Sequence, residues 1–257
     1  MSDENPSVVV VGGGPAGLTA SLFTGRSDMP TTVLDEPESI LRRNAHLENV
    51  PGFPVGVNSR LFLDMLDDQA ERAGVEREQA EVTAVHRDDP TDADEPFVVE
   101  TADGDAYTAD VVVAATKSSP AYLDPLSDDL ELDQQGSKTY VSADERGRTD
   151  VPGLYVAGRL AAKPHQTVVA AGHGGEVGIT VVEDSEVPFY HDWVVPEGYF
   201  TGRGREVPPG CEEIDEEERR RREEESIEIM RDYFDEPHPE EPTMHPSVAE
   251  DEDEDDE

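Results

Sequence analysis

The sequence predicts an α/β fold, doubly wound about a parallel sheet, on three observations. Val8 to Val11 is a run of four β-branched residues that breaks at once into the turn Gly12, Gly13, Gly14, and helix-forming residues follow. Asp110 opens a second such run, ValValValAlaAla. A third, short apolar stretch, ValProGlyLeuTyrValAlaGly at 151–158, again closes on a glycine. Apolar strands without polar alternation are buried on both faces, as in parallel sheets covered above and below.

The first strand carries the strongest motif. Its glycines fall at 12, 14 and 17. Gly12 lets the chain turn sharply, Gly14 lets the backbone approach an anion without a Cβ, and Gly17 lets the new helix, Pro15 to Arg26, sit close to the strand. Amides at the start of that helix have no intrahelical partner, and the helix dipole adds a favourable field for negative charge. Asp35 ends the next apolar stretch, ThrThrValLeuAsp, 18 residues beyond Gly17. At about that distance an acid receives a ribose hydroxyl in a βαβ dinucleotide unit. Strand, turn, helix and acid in this order predict a Rossmann-like dinucleotide site built on Gly12, Gly14, Pro15, Ala16, Gly17 and Asp35.

The elements then follow in order. Residues 36–58 contain prolines and glycines that forbid a regular element. Ser59 reads as an N-cap, and Phe62, Met65, Leu66, Ala70 and Ala73 mark a helical face that stops at Gly74. Strand-like segments at 81–86 and 97–101, with AspGly at 103–104 as a hairpin turn, predict an antiparallel excursion over 81–109. Residues 118–138 show no periodicity and read as a connector. Gln166 to Val182 reads as a helix despite Gly172, Gly174, Gly175 and Gly178, a density that means backbone or ligand packs closely against it. The predicted divisions are a nucleotide-binding domain over 1–182, an aromatic-rich extension over 183–211, a charged helix over 212–235 and a disordered acidic tail over 236–257.

Charge and composition bound the function. The chain has 61 acidic and 20 basic residues, net −41, and only three lysines. Residues 1–182 alone carry 32 acids and 13 bases, so the acidity pervades the folded part. Such a charge repels itself unless screened, and molar salt shortens its reach to about 3 Å, which predicts a protein of an extreme halophile that unfolds at low salt. Phosphate backbones need a basic surface, so nucleic acid is excluded as a partner. The single cysteine, Cys211, excludes an intramolecular disulfide and a CxxC pair; it reads as a bystander at the start of the charged helix. There is no basic, apolar leader and no run near the roughly 20 apolar residues of a membrane span, which predicts a cytoplasmic protein with no membrane partner. The histidines show no metal-ligand spacing, so no metal is expected, and no nucleophile motif supports hydrolysis. Five of the 15 aromatics fall in 189–200, which predicts packing against the domain or a homodimer through that segment.

Three blocks in this order resemble the thioredoxin reductase-like FAD-dependent pyridine nucleotide-disulfide oxidoreductases: GlyGlyGlyProAlaGlyLeuThrAla, GluAsnValProGlyPhePro, and ValProGlyLeuTyrValAlaGly with the GlnThrValValAlaAlaGlyHisGlyGly that follows it. The resemblance covers about residues 7–182. It implies FAD as cofactor, with Gly12, Gly14, Pro15, Ala16 and Gly17 at the pyrophosphate, Asp35 at the adenosine ribose, Asn49 near the flavin, Thr116, Lys117, Gly158 and Arg159 along the cofactor, and Gln166 and Thr167 at the flavin pyrimidine edge. It also implies an inserted NAD(P)H domain with a CxxC. Here only about 35 residues join the strands on either side of that insertion, without a second glycine fingerprint or any cysteine. Reducing equivalents would then come from a small-molecule or protein redox partner. Two departures stand out: AlaThrLys at Lys117 and GlyArg at Arg159 replace the family's AlaThrGly and GlyAsp.

Lys117, Lys163 and Arg159 read as a positive pocket for a polyphosphate, with pairing to nearby acids as the competing reading. His165 and His173 flank the helix that begins at Gln166, and His173 is the candidate proton donor. Beside a FAD-dependent oxidoreductase, the sequence leaves two alternatives: a degenerate, non-catalytic dinucleotide-binding module acting with a partner, and direct NAD(P) binding in the same cleft.

Overall fold

The computed structural model describes residues 5–36, 39–89, 92 and 95–244. Five parallel strands form the central sheet: β1 (Val8–Val11), β2 (Thr31–Asp35), β3 (Glu76–Gln79), β7 (Val111–Ala114) and β10 (Leu154–Val156), in the order β10-β7-β1-β2-β3. Helix α1 (Pro15–Arg26) crosses from β1 to β2, and α2 (Ser59–Arg72) precedes β3. Helix α3 (Thr167–Asp184) follows β10 and lies on α1.

The strand period of two explains why β1 and β7 are apolar throughout. Val8, Val10, Val111 and Val113 face a core completed by Leu18 of α1, Leu63 of α2 and Val177 of α3. Val9, Val11, Val112 and Ala114 face the other way, toward Val85, Phe97 and Val99. Those three belong to an antiparallel sheet of β4 (Val82–His86), β5 (Phe97–Thr101) and β6 (Ala106–Ala109). The antiparallel excursion is therefore the second covering layer of the parallel sheet, in the place where a doubly wound fold puts helices.

Several local expectations shift. The N-cap of α2 is Asn58, whose side chain accepts from the amides of Arg60 at 2.9 Å and Leu61 at 3.3 Å, while Ser59 starts the helix and donates to the Asn44 carbonyl. Segment 118–138 is not a bare connector. It holds a 3-10 turn at Ala121–Leu126, which buries Tyr122, Leu123 and Leu126, and most of a hairpin of β8 (Leu132–Gln135) and β9 (Lys138–Val141). A two-residue GlySer loop with Gly136 at φ 63° closes that hairpin, a signal present in the sequence.

Beyond α3, β11 (Trp193–Pro196) pairs in parallel with β12 (Cys211–Ile214). Cys211 thus opens a strand, not a helix, because Glu212 and Ile214 are drawn into register with Val194 and Pro196. Helix α4 (Glu216–Asp235) begins only at Asp215, whose side chain caps the Glu218 amide at 2.8 Å. Arg221 pairs with Glu225 at 2.9 Å and with Glu218 at 2.8 Å, and Arg220 pairs with Glu216, each pair three or four residues apart on the helix. Of the stretch read as a disordered tail, 245–257 lies outside the described residues. Residues 236–244 adopt no regular element, yet His238 Nε2 lies 2.9 Å from Asp64 and Arg42 pairs with Glu240 at 2.8 Å.

Candidate functional site

The strand ends of β2, β1, β7 and β10 open on one cleft of about 410 Å³. It lies at the switch point of the sheet, where the connection from β1 leaves toward β2 while β7 and β10 lie on its other side.

The glycine turn at its centre has distinct reasons for each residue. Gly12 sits at φ 109°, and a Cβ there would come within 2.9 Å of the Ala115 carbonyl oxygen. A Cβ at Gly13 would overlap the Asp35 carboxylate at 2.5 Å, and one at Gly17 would meet the Gly12 carbonyl oxygen at 1.9 Å. Those three glycines are required by the fold itself. Gly14 is different: its backbone is extended, and an added Cβ would meet only Ser39 Oγ, at 3.9 Å. Packing leaves the space in front of Gly14 open, so no neighbour among the described residues demands a glycine there.

Two helices point their N-termini into this space. Gly14 is the N-cap of α1 and Gln166 that of α3, and neither first turn receives a side-chain cap. Gln166 instead accepts through Oε1 from Asn49 Nδ2 at 2.7 Å. The unpaired amides and dipoles of both helices therefore favour an anion at the same opening. Asp35 lies at the β2 edge, its side chain 13% exposed and paired with Arg77 at 3.1 Å. Arg77 also holds Asp67, whose carboxyl burial pushes up despite that pairing.

On the far side, Thr116 Oγ1 lies 3.1 Å from the Tyr122 hydroxyl, and burial pushes the Tyr122 phenol up, so it stays neutral. Arg159 donates to the Tyr140 hydroxyl at 2.6 Å and to the Lys163 carbonyl at 3.1 Å.

Of the residues singled out in the sequence, Gly12, Gly14, Pro15, Ala16, Asp35, Thr116, Lys117, Arg159, Gln166 and Thr167 line the cleft. Gly17 and Gly158 are not among the lining residues but pack against ones that are, Gly12 and Ala16, and Asn49 is exposed and reaches the cleft through its bond to Gln166. His173 is 6% exposed and sits beneath the β10 turn, where its Nδ1 accepts the Gly158 amide at 2.9 Å; it is not among the residues that line the cleft. His165 does line the cleft. So does Lys138, in place of the Lys163 expected from sequence; its place on β9 was hidden by reading that segment as a connector.

The glycines of α3 also receive their explanation. A Cβ at Gly174 would meet the Ala16 carbonyl oxygen at 2.1 Å, and one at Gly178 the Ala20 carbonyl oxygen at 2.6 Å. Backbone packs there, not ligand: these glycines let α3 lie on α1 so that both N-termini reach one opening. Among the described residues no cluster of metal-ligating side chains occurs, and no helix is long and apolar enough to cross a membrane.

Comparison with known proteins bears on the family and the fold. Residues 57–174 match the family described as pyridine nucleotide-disulphide oxidoreductase. The bifunctional thioredoxin reductase/thioredoxin of Mycobacterium leprae is 33% identical over 118 residues, 45% of this chain and 25% of that protein. The thioredoxin reductase of Chlamydia trachomatis is 32% identical over 136 residues, 50% of this chain and 41% of that protein. The chain thus spans a quarter to two fifths of the length of these curated relatives. Among solved structures, a thioredoxin reductase from Gloeobacter violaceus superposes with a TM-score of 0.61 at 18% identity, covering 72% of this chain and 98% of that one. The atypical thioredoxin reductase TRi from Desulfovibrio vulgaris Hildenborough gives 0.57 at 17% identity, covering 72% and 100%. At such identities the structures speak to the fold.

Proposed function

We propose that this chain, which is thioredoxin reductase-like in sequence and fold, is a FAD-dependent oxidoreductase that works without a nicotinamide domain or redox disulfide of its own. The observation that carries the reading is the open space before Gly14, faced by the uncapped N-termini of α1 and α3. A diphosphate fits that cradle, because its oxygens would take the free amides and its charge would lie on two helix dipoles.

In this reading Gly12, Gly14, Pro15 and Ala16 hold the diphosphate, Asp35 receives the ribose, and Gln166 and Thr167 meet the flavin. When bound, FAD supplies the electron transfer. The chain orients it, and the Asn49–Gln166 hydrogen bond fixes the entrance of α3. Between β7 and β10 the described residues hold only a 3-10 turn and the β8–β9 hairpin, so electrons would come from a separate partner or from free nicotinamide cofactor.

We place this work in a salt-rich cytoplasm, on the net charge of −41. Tyr190, Trp193 and Tyr199 are exposed on the β11–β12 unit, which supports a homodimer through 189–200; a monomeric mass in molar salt would remove it. For the main reading, chain purified in molar salt is expected to bind FAD, to absorb as a flavoprotein and to bleach with dithionite. Colourless protein that refuses added FAD would contradict it.

A further inference from the structure

The acid that closes β2 is held in one orientation by Arg77, a residue that does not itself line the cleft. Arg77 stands on β3 opposite Val33 of β2, and because side chains two apart along a strand share a face, it reaches past Val33 to Asp35. Its Nη2 donates to Asp35 Oδ2 at 3.1 Å. A Cβ on Gly13 would come within 2.5 Å of that same oxygen, so the carboxylate is seated between the glycine turn and the guanidinium. Asp35 Oδ1 makes no hydrogen bond among the described residues, and Asp35 lines the cleft. One oxygen is pinned, and the other is left for a ligand.

Arg77 is itself fixed from behind. Its Nη1 donates to Oδ2 of Asp67 on α2, whose Oδ1 is buried without a hydrogen-bond partner among the described residues. A planar guanidinium can bridge two carboxylates in this way, whereas an ammonium offers a single point charge. An arginine beside the ribose acid can also serve as the seat of a 2′-phosphate. Here both terminal nitrogens are taken by carboxylates, and a phosphate brought to Arg77 would meet the charges of Asp35 and Asp67. The arginine therefore serves the acid, not an anionic ligand.

We propose that Arg77 is a positioning residue for nucleotide recognition: bridging Asp67 to Asp35, it fixes Asp35 Oδ1 to accept the 2′-hydroxyl of an adenosine ribose, so that the cleft selects adenine nucleotides in which that hydroxyl is free. The proposal rests on the FAD reading only in placing the adenosine half of the dinucleotide at Asp35.

The test uses the full chain in molar potassium chloride and four probes titrated by calorimetry: ADP, 2′-deoxy-ADP, and ADP-ribose with and without a phosphate on the adenosine 2′-oxygen. The parent is expected to bind ADP about tenfold more tightly than 2′-deoxy-ADP, the worth of one hydrogen bond to a charged acceptor, and to bind the 2′-phosphorylated probe less tightly than ADP-ribose. In Arg77→Gln the ratio of ADP to 2′-deoxy-ADP affinity is expected to fall toward unity, as in Asp35→Ala. A merely structural role would weaken both nucleotides equally and leave the ratio unchanged. Arg77→Gln strands the buried Asp67 carboxylate, so the double variant Arg77→Gln/Asp67→Asn, which removes both charges, keeps the test valid if the single one fails to fold. Three results would each overturn the proposal: a parent that does not distinguish ADP from 2′-deoxy-ADP, folded Arg77 variants that keep the parent ratio, or a 2′-phosphate that tightens binding in the parent and loses that effect in Arg77→Gln, which would make Arg77 a phosphate ligand. FAD is titrated separately in the same samples. A chain that discriminates ADP through Arg77 but refuses FAD refutes the cofactor reading and leaves the role of Arg77 standing, and one that binds FAD with unchanged ratios does the reverse.

Discussion

His173 Nδ1 accepts the backbone amide of Gly158 at 2.9 Å. One residue further along the chain is Arg159, so a buried side chain of α3 holds the turn that places a cleft-lining cation. His173 is thus a positioning residue in this structure, and the bond requires its ring to be neutral at Nδ1.

That bond sets a pH dependence. Burial, then the charge of Lys163, pushes the His173 pKa below its ordinary value of about 6.5. With the folded value depressed, the unfolded state binds more protons below that point, so His173's contribution is complete above about pH 6.5 and is lost as pH falls toward the lower native value. A urea-melt series in molar salt should show this slope in the parent chain and not in His173→Asn, whose amide oxygen can accept the same amide. His173→Leu, which orphans the Gly158 amide, should cost about 1–3 kcal/mol at neutral pH.

Glycines on α3 give a second prediction. Gly174→Ala drives a methyl group into the Ala16 carbonyl oxygen, and the backbone of α1 has no room to yield. Overpacking of this kind costs about 1–3 kcal/mol, and the thermal midpoint should fall by several degrees. Gly172→Ala, with nothing within 4 Å of the added carbon, should leave the midpoint level or raised. Equal effects of the two substitutions would contradict the packing described.

How far the sequence carried this follows from which signals are local. The strand-to-glycine turns, α1 and the AspGly hairpin rest on neighbouring residues, and they stand where the residues imply. The partner of an element does not: nothing near Gly174 or Gly178 tells backbone from ligand, and only the Ala16 and Ala20 carbonyls decide it. Cys211 misled for a similar reason, since the charged run after it reads as helix until β11 offers Glu212 a partner strand. Lys138 was hidden because a four-residue strand has too little pattern to stand out, although its GlySer turn was visible.

Net charge gives a further prediction. Dialysis from molar salt into low salt should unfold the chain, seen as loss of the helical circular dichroism signal, because unscreened repulsion among 61 acidic residues opposes compaction. An unchanged spectrum would refute the salt requirement.

The central claim is that the glycine turn seats a dinucleotide diphosphate, and Gly14 tests it because the fold leaves that position free. FAD titrated into the parent chain and into Gly14→Val, both in molar salt and both checked for native circular dichroism, is the direct measurement. The account predicts a folded Gly14→Val that has lost FAD binding by at least about tenfold, as when a ligand's contacts are sterically blocked. A folded variant that binds FAD as tightly as the parent would contradict it.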